Sequence, residues 1–478
     1  MKRLYMTILA VVCALQLMAD YNVKDFGAKG DGTTLDSPAI NAAIEEAVKN
    51  GGGRVVVPAG RYLSGSIRMK SNIELNLESG AVIIAAPASM KAYDESEVFG
   101  FPEYQDGGHT YFHNSLIWAD GEENVSITGR GKIDGEGLTK KDTETAGQVH
   151  GGSIGTGDKS IALKACKNIL IRDITIYRGG HFAIIVTGCE RGTIDNVTID
   201  TNRDGIDIDC CKYLTVSNTK VNTPSDDAIV LKASYAMKKA VACENILINN
   251  CVVTGFKCGT FLDGTRIPEK VNWVCGRIKL GTESNGGYRD IAITNCTCIW
   301  SSGLAFEEVD QGLMDNIVVS NIAMNHVHHY PIYITTGCRN RGPKDITEPS
   351  RGQNIMISNV QALDCDSLSG IIVTGMKESP LKNISLSNIY IEYRGGGTKE
   401  QAQKPYPELE KKYPEPGKFL GATPAYGLYA RHVDGLKVSN VEFALKKNDE
   451  RPMIVLDDVK NDKLQNVTGP NGKIVRKK

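Results

Sequence analysis

Three aspartates have the type and spacing to do chemistry. Asp204 lies in Thr201-Asn202-Arg203-Asp204-Gly205, and Asp226 and Asp227 lie together in Ser225-Asp226-Asp227-Ala228. The pair follows Asp204 by 22 and 23 residues, which is one period of a repeat running through the surrounding sequence. A repeat of that length built from short strands points to the coil of a β-helix. Stacked on one face, carboxylates of neighbouring coils can cleave a glycosidic bond, one acting as acid and another as base. Like charges held this close push at least one pKa up, which suits a general acid.

The elements that would position these acids follow from a short recurring pattern: apolar, any, Asn, any, any, apolar. It centres on Asn196, Asn218, Asn250, Asn295, Asn321, Asn359, Asn388 and Asn440, with Asp173 in the same place one coil earlier. Alternating residues before each Asn put Ile and Val inside and polar residues outside. An Asn at one turn of every coil can hydrogen-bond the turn backbone and its own copies above and below. The expectation is an all-β chain: a single-stranded right-handed parallel β-helix whose basic coil carries insertions of varied length. Residues 20–478 form one domain on this reading. The periodicity of Asp36 to Lys49 predicts a helix over the open N-terminal end of the barrel, capped by Asp36 or Ser37. Strands are expected at Arg54 to Val57, Asn72 to Leu77 and Ala81 to Ile84. Long loops are expected at 86–118, 135–158 and 395–423, and loops of that length are usually functional. They are read as cleft walls.

Offsets from the ladder Asn place further residues. Asp204 and Asp226 each follow a ladder Asn by eight positions, so they should occupy equivalent places about 4.8 Å apart. His181 follows Asp173 by the same offset and should stack on that column. Asp207 and Asp209 continue the strand of Asp204, and Lys232 that of Asp226. Glu307 and Glu308 face either the cleft or solvent. Asp263 reads as a turn residue, and Arg339 and Arg341 offer either carboxylate donors or a solvated loop. His326, His328 and His329 cluster without metal-ligand spacing. Tyr330 and Tyr333 either stack on sugars or fill the wall.

Composition narrows the function. The net charge of -1 gives no global field for nucleic acid or an anionic membrane, so an acidic substrate must be met by local cations. Lys2-Arg3 followed by the apolar run Leu4 to Met18 and Ala19 reads as a signal peptide over 1–19. That run is shorter than the roughly 20 apolar residues of a membrane span. A secreted or periplasmic, monomeric protein with no membrane insertion after cleavage is expected. The 12 cysteines beyond it contain no CxxC pair, which gives no zinc framework, and they read as buried thiols rather than a disulfide scaffold. Neither a metal nor a cofactor is expected.

Asn202-Arg203-Asp204-Gly205-Ile206-Asp207, followed by Ser225-Asp226-Asp227-Ala228-Ile229-Val230-Leu231-Lys232, resembles the signature of glycoside hydrolase family 28, the polygalacturonases and rhamnogalacturonan hydrolases. Asp25-Phe26-Gly27-Ala28-Lys29-Gly30-Asp31-Gly32, Gly51-Gly52-Gly53 and Val57-Pro58-Ala59-Gly60 are similarly typical of pectin-degrading, pectin-lyase-like β-helices. The resemblance implies a pectic polysaccharide or oligosaccharide substrate and an inverting mechanism. Asp226 would be the general acid, and Asp204 and Asp227 would hold and deprotonate the attacking water. Acid and base carboxyls in such enzymes stand roughly 6.5–9.5 Å apart. The chain departs from the polygalacturonase pattern in two places. Cys275-Gly276-Arg277-Ile278-Lys279-Leu280 lacks the family's Gly-His-Gly, and Ala305-Phe306-Glu307 stands where Arg-Ile-Lys is expected. Either Arg277 and Lys279 substitute as the carboxylate clamp, or the sugar in that subsite is neutral. His181, Arg203, Asp207, Lys232, Arg277, Lys279 and Glu307 are the substrate-binding candidates. Exo action on galacturonate-containing or rhamnogalacturonan linkages is the expected activity. The competing readings are a Ca²⁺-dependent polysaccharide lyase on the same fold and a non-catalytic, glycan-binding β-helix.

Overall fold

The computed structural model describes residues 20–97, 99–100, 107–139, 154–269, 274–368, 370–416 and 421–477. The expected signal segment 1–19 lies outside these, as do parts of the three expected loops. Among the described residues no helix is long and apolar enough to cross a membrane.

The chain winds into a right-handed parallel β-helix. Each strand pairs in parallel with its counterpart one coil away, as Ile206 with Ile229 and Ile291 with Ile317. One coil is Asp204–Asp209, Lys212–Ser217 and Lys220–Asn222. Ile206, Ile208, Leu214, Val216 and Val221 point inward and are buried. Repetition of this pattern fills the barrel with one continuous apolar core.

The ladder Asn residues sit at one turn with φ between +51° and +58°. That left-handed region is costly for most side chains, and Asn tolerates it better than most. The side chains then hydrogen-bond along the axis: Asn321 donates to Asn295 at 3.0 Å, Asn359 to Asn321 at 3.1 Å, and Asn388 to Asn359 at 3.1 Å. Backbone conformation, as well as stacking, therefore selects Asn at this turn. All 12 cysteines beyond the N-terminal segment are free thiols, and most are buried.

The expected helix is present as Ser37–Lys49, with Ile40, Ala43, Ile44 and Ala47 buried against the first coils. Its expected cap is not. The Asp36 side chain makes no capping bond; its carboxylate instead accepts from the backbone N–H groups of Lys29 and Gly30 at 2.7 and 3.0 Å. Ser37 Oγ accepts from Gly65 N. The strands Gly53–Val57, Ile73–Leu77 and Ala81–Ala85 match their expected positions. The loop expected at 86–118 ends earlier, because its last residues belong to the strand Ser115–Asp120. The 395–423 segment contains a short helix, Lys399–Gln403, closed by a Thr398–Gln401 capping box.

Candidate active site

A row of paired strands runs along one face of the barrel, among them Phe182–Thr187, Asp204–Asp209, Ile229–Lys232, Ile278–Leu280, Leu304–Glu308 and Ile332–Thr336. Their outward row reads Ile185, Asp207, Val230, Lys279, Ala305 and Tyr333 in register. Outward positions of a solenoid are normally wet, yet Asp207, Lys279 and Tyr333 are buried. Loops cover this face, and the acids lie beneath and between them.

The expected stacking of Asp204 on Asp226 is off by one. Asp200 pairs with Asn222, a step of 22, whereas Ile206 pairs with Ile229, a step of 23. One extra residue therefore enters between Asn222 and Ile229. It brings Asp227 level with Asp204, with Gly205 N donating to Asp227 O at 3.0 Å, and pushes Asp226 out of the column. One coil earlier the step changes from 23 at Ile176 and Ile199 to 22 at Ile184 and Ile206, so Phe182, not His181, lies beneath Asp204. His181 stacks on the Phe182 ring with centroids 4.1 Å apart, and its Nδ1 lies 4.0 Å from Asp158.

The three aspartates nevertheless converge. One Arg203 nitrogen lies 3.7 Å from Asp204 and 3.1 Å from Asp226. Carboxylate oxygens of Asp226 and Asp227 come within 4.8 Å of each other, close to Cys275 Sγ. Asp226 is the accessible member, its side chain 31% exposed, while Asp204 and Asp227 are buried. Burial, then the charges of Asp226 and Asp207, pushes the Asp204 carboxyl well above the ordinary range. Burial likewise pushes Asp207 up to about 7, against the pull of Lys232 and His109. Lys232 Nζ lies 3.5 Å from Asp207 and 3.3 Å from Glu283. His109 sits between Asp207 and Asp209, at 3.9 and 3.5 Å.

Asp227 behaves oppositely. Burial pushes its carboxyl up, but Arg277, Lys279 and Lys232 outweigh this and hold it well below the ordinary range. Arg277 Nε donates to Asp227 at 2.6 Å, and Lys279 Nζ lies 3.3 Å from Asp227 and 3.3 Å from Glu307. The same cations are roofed by the 395–423 segment. Glu415 accepts from two Arg277 nitrogens at 3.2 and 3.1 Å, and Tyr413 Oη lies 3.3 Å from Lys279 Nζ. Arg277 also donates to Tyr330 Oη. Arg277 and Lys279 thus reach the site as expected, but as buried partners of Asp227 rather than as an exposed clamp.

Other expectations resolve individually. Tyr330 and Tyr333 are buried against each other, with ring centroids 5.1 Å apart, so they fill the wall instead of offering a sugar platform. Arg339 is no solvated loop residue: it is buried and paired with Asp310 and Glu283. Asp263 is a turn residue, accepting from Thr265 N and Oγ. Glu307 lies beneath the roof beside Thr282, and Glu308 is buried and accepts from Gly312 N. His326 pairs with Asp364 at 2.6 Å. Sequence reasoning missed His109, Glu283, Tyr413 and Glu415. Glu415 lay in view, inside a loop already read as a wall; His109 lies in a loop without periodicity.

The parallel β-helix thus carries on one face a cluster of carboxylates that their neighbours push in opposite directions. Residues 21–257 match the family described as rhamnogalacturonase A/epimerase, pectate lyase-like. The exo-poly-α-D-galacturonosidase of Dickeya chrysanthemi is 24% identical over 406 residues, covering 74% of this chain and 64% of that protein, so the chain spans less than two thirds of this relative. The exopolygalacturonase of Platanus acerifolia is 24% identical over 397 residues, covering 79% of this chain and 91% of that protein. The solved family 28 exopolygalacturonase of Yersinia enterocolitica shares the fold, with a TM-score of 0.66, 19% identity, and coverage of 93% of this chain and 78% of that one. Together these findings make the chain similar, in sequence and in fold, to polygalacturonases of glycoside hydrolase family 28.

Proposed function

We propose that this protein is an exo-acting, inverting glycoside hydrolase of pectic oligosaccharides, exported through its N-terminal segment and cutting galacturonate-containing or rhamnogalacturonan linkages. The observation that carries this reading is the unequal treatment of three adjacent carboxylates: burial pushes the Asp204 carboxyl well up, Arg277 and Lys279 hold that of Asp227 down, and Asp226 is open to substrate.

Those states suit one catalytic cycle. Substrate entering the open side withdraws water from Asp226, which favours its proton-carrying form, and the proton comes from Asp204 beside Arg203. Asp226 then protonates the leaving glycosidic oxygen as that bond breaks. Asp204, now ionised in a buried site, takes a proton from the attacking water, whose oxygen bonds the anomeric carbon from the opposite face. Asp227, fixed by Arg277 and Lys279, orients that water. The cycle ends with the proton back on Asp204 and Asp226 ready to receive it again. Asp226, Asp227 and Cys275 are close enough to hold a cation, but Arg277 and Lys279 already neutralise Asp227. The same pairing speaks against a lyase base, because neither cation is presented as a free group.

Exo action is supported by walls on both sides of the acids. His109 and its neighbours press on His181, where a Cβ added at Gly108 would come within 2.5 Å of the ring. Residues 406–415 lie across Tyr333, Thr335, Thr374 and Arg431 on the following coils. Digestion of end-labelled oligogalacturonides and rhamnogalacturonan oligosaccharides, followed by chromatography, tests this. Release of one sugar or one repeat at a time is expected; early mid-length fragments would contradict it.

A further inference from the structure

Glu415 has a place in the site that the proposed reaction does not use. It is buried, comes from the covering segment, and meets Arg277 with both oxygens, as a uronate carboxylate would. It also accepts from Tyr330 Oη at 3.1 Å. The remaining guanidinium nitrogen, Arg277 Nε, is committed to Asp227, so every nitrogen of Arg277 is engaged. Lys279 is equally committed, to Asp227, Glu307 and Tyr413. Two cations here face the carboxyls of Asp227, Glu307 and Glu415. A sugar carboxylate arriving beside Asp227 would find no open cation and a carboxylate in its place.

Resting on the hydrolase reading above, we propose that Glu415 is a specificity-determining residue: it fills the uronate-carboxylate position beside Asp227, so that the sugar bound there is neutral. The site then cuts between a galacturonate and a neutral sugar in preference to a bond between two galacturonates. Tyr413, whose hydroxyl meets Lys279 Nζ and Thr282 Oγ1, adds an uncharged aromatic ring beside these cations.

The test compares kcat/KM on digalacturonate with that on the two disaccharides in which one residue or the other carries a hydroxymethyl group in place of its carboxylate. Wild type is expected to favour one of these mono-neutral disaccharides by about tenfold or more, the scale of one charged hydrogen-bonded pair. Glu415→Gln, which keeps shape but frees the guanidinium charge, should shift that ratio toward digalacturonate by a similar factor. Glu415→Asp, which keeps the charge, should retain the wild-type preference. A merely structural role would lower all three rates together and leave the ratio fixed. Digalacturonate as the best wild-type substrate would overturn the proposal on its own, even if Glu415→Gln failed to fold. So would a ratio unmoved by Glu415→Gln. Failure of wild type to hydrolyse any of the three would overturn the hydrolase reading along with it.

Discussion

The two sides of the acid cluster hold the same functional group under nearly the same burial and give it opposite states. On the side of Asp204 and Asp207 burial wins: the charges of Asp226 and Asp207 add to it at Asp204, Lys232 and His109 fall short of it at Asp207, and both groups are pushed toward the protonated form. On the side of Asp227 and Glu283, the cations Arg277, Lys279, Lys232 and Arg339 overcome the same burial and hold both groups ionised. Burial alone raises every one of these carboxyls. What separates acid from anion is the local supply of cations, and that supply comes from different coils and loops.

The sharpest way to break the contrast is to remove the open carboxyl between the two sides. Asp226→Asn keeps shape but cannot deliver a proton. Its kcat should fall by about 10²–10⁴-fold, with oligosaccharide binding by calorimetry largely retained. A rate within about tenfold of wild type would remove Asp226 from the acid role.

Stripping the cation side comes next. Arg277→Met leaves Asp227 and Glu415 buried without their main partner. Breaking one half of a buried pair costs about 3–5 kcal/mol, read as a lower urea midpoint. An unchanged midpoint would mean that Arg277 is not what holds Asp227 ionised.

The smallest effect is in pH dependence, where the two sides should slope oppositely. Asp207 titrates at about 7 in the folded chain against about 3.9 unfolded. Between these values the native state holds a proton the unfolded chain has released, so stability falls as pH rises. The unfolding temperature of wild type minus that of Asp207→Asn should be greatest below about pH 4 and decline toward pH 7. Asp227, held low, contributes stability that is present above its unfolded value and lost as pH falls below it, so the difference for Asp227→Asn should rise with pH. Parallel slopes for the two variants would contradict the charge balance described.

These contrasts also mark what a sequence can reveal. The coil is legible because one turn demands a left-handed residue and Asn recurs there, from Asn196 to Asn440. The three clustered aspartates are legible because acids beside that period are rare without a use. Register is not, because the one residue inserted between Asn222 and Ile229, which shifts Asp226 out of the column, is lost within the 32-residue interval from Asn218 to Asn250. The partners that set charge are least legible. His109, Tyr413 and Glu415 come from loops whose length shows in the sequence but whose path does not. Arg277 and Lys279 were recognisable as replacement cations, yet their engagement by Glu415 depends on where the 406–415 segment lies.

The central claim is that Asp226 and Asp204 act on opposite faces of one bond as acid and base. Proton NMR of the sugar first released from an α-linked galacturonate-containing oligosaccharide tests it most directly. The account predicts a β-anomer at early times, appearing before mutarotation. An α-anomer, or an unsaturated uronate in place of a hydrolysed end, would contradict it.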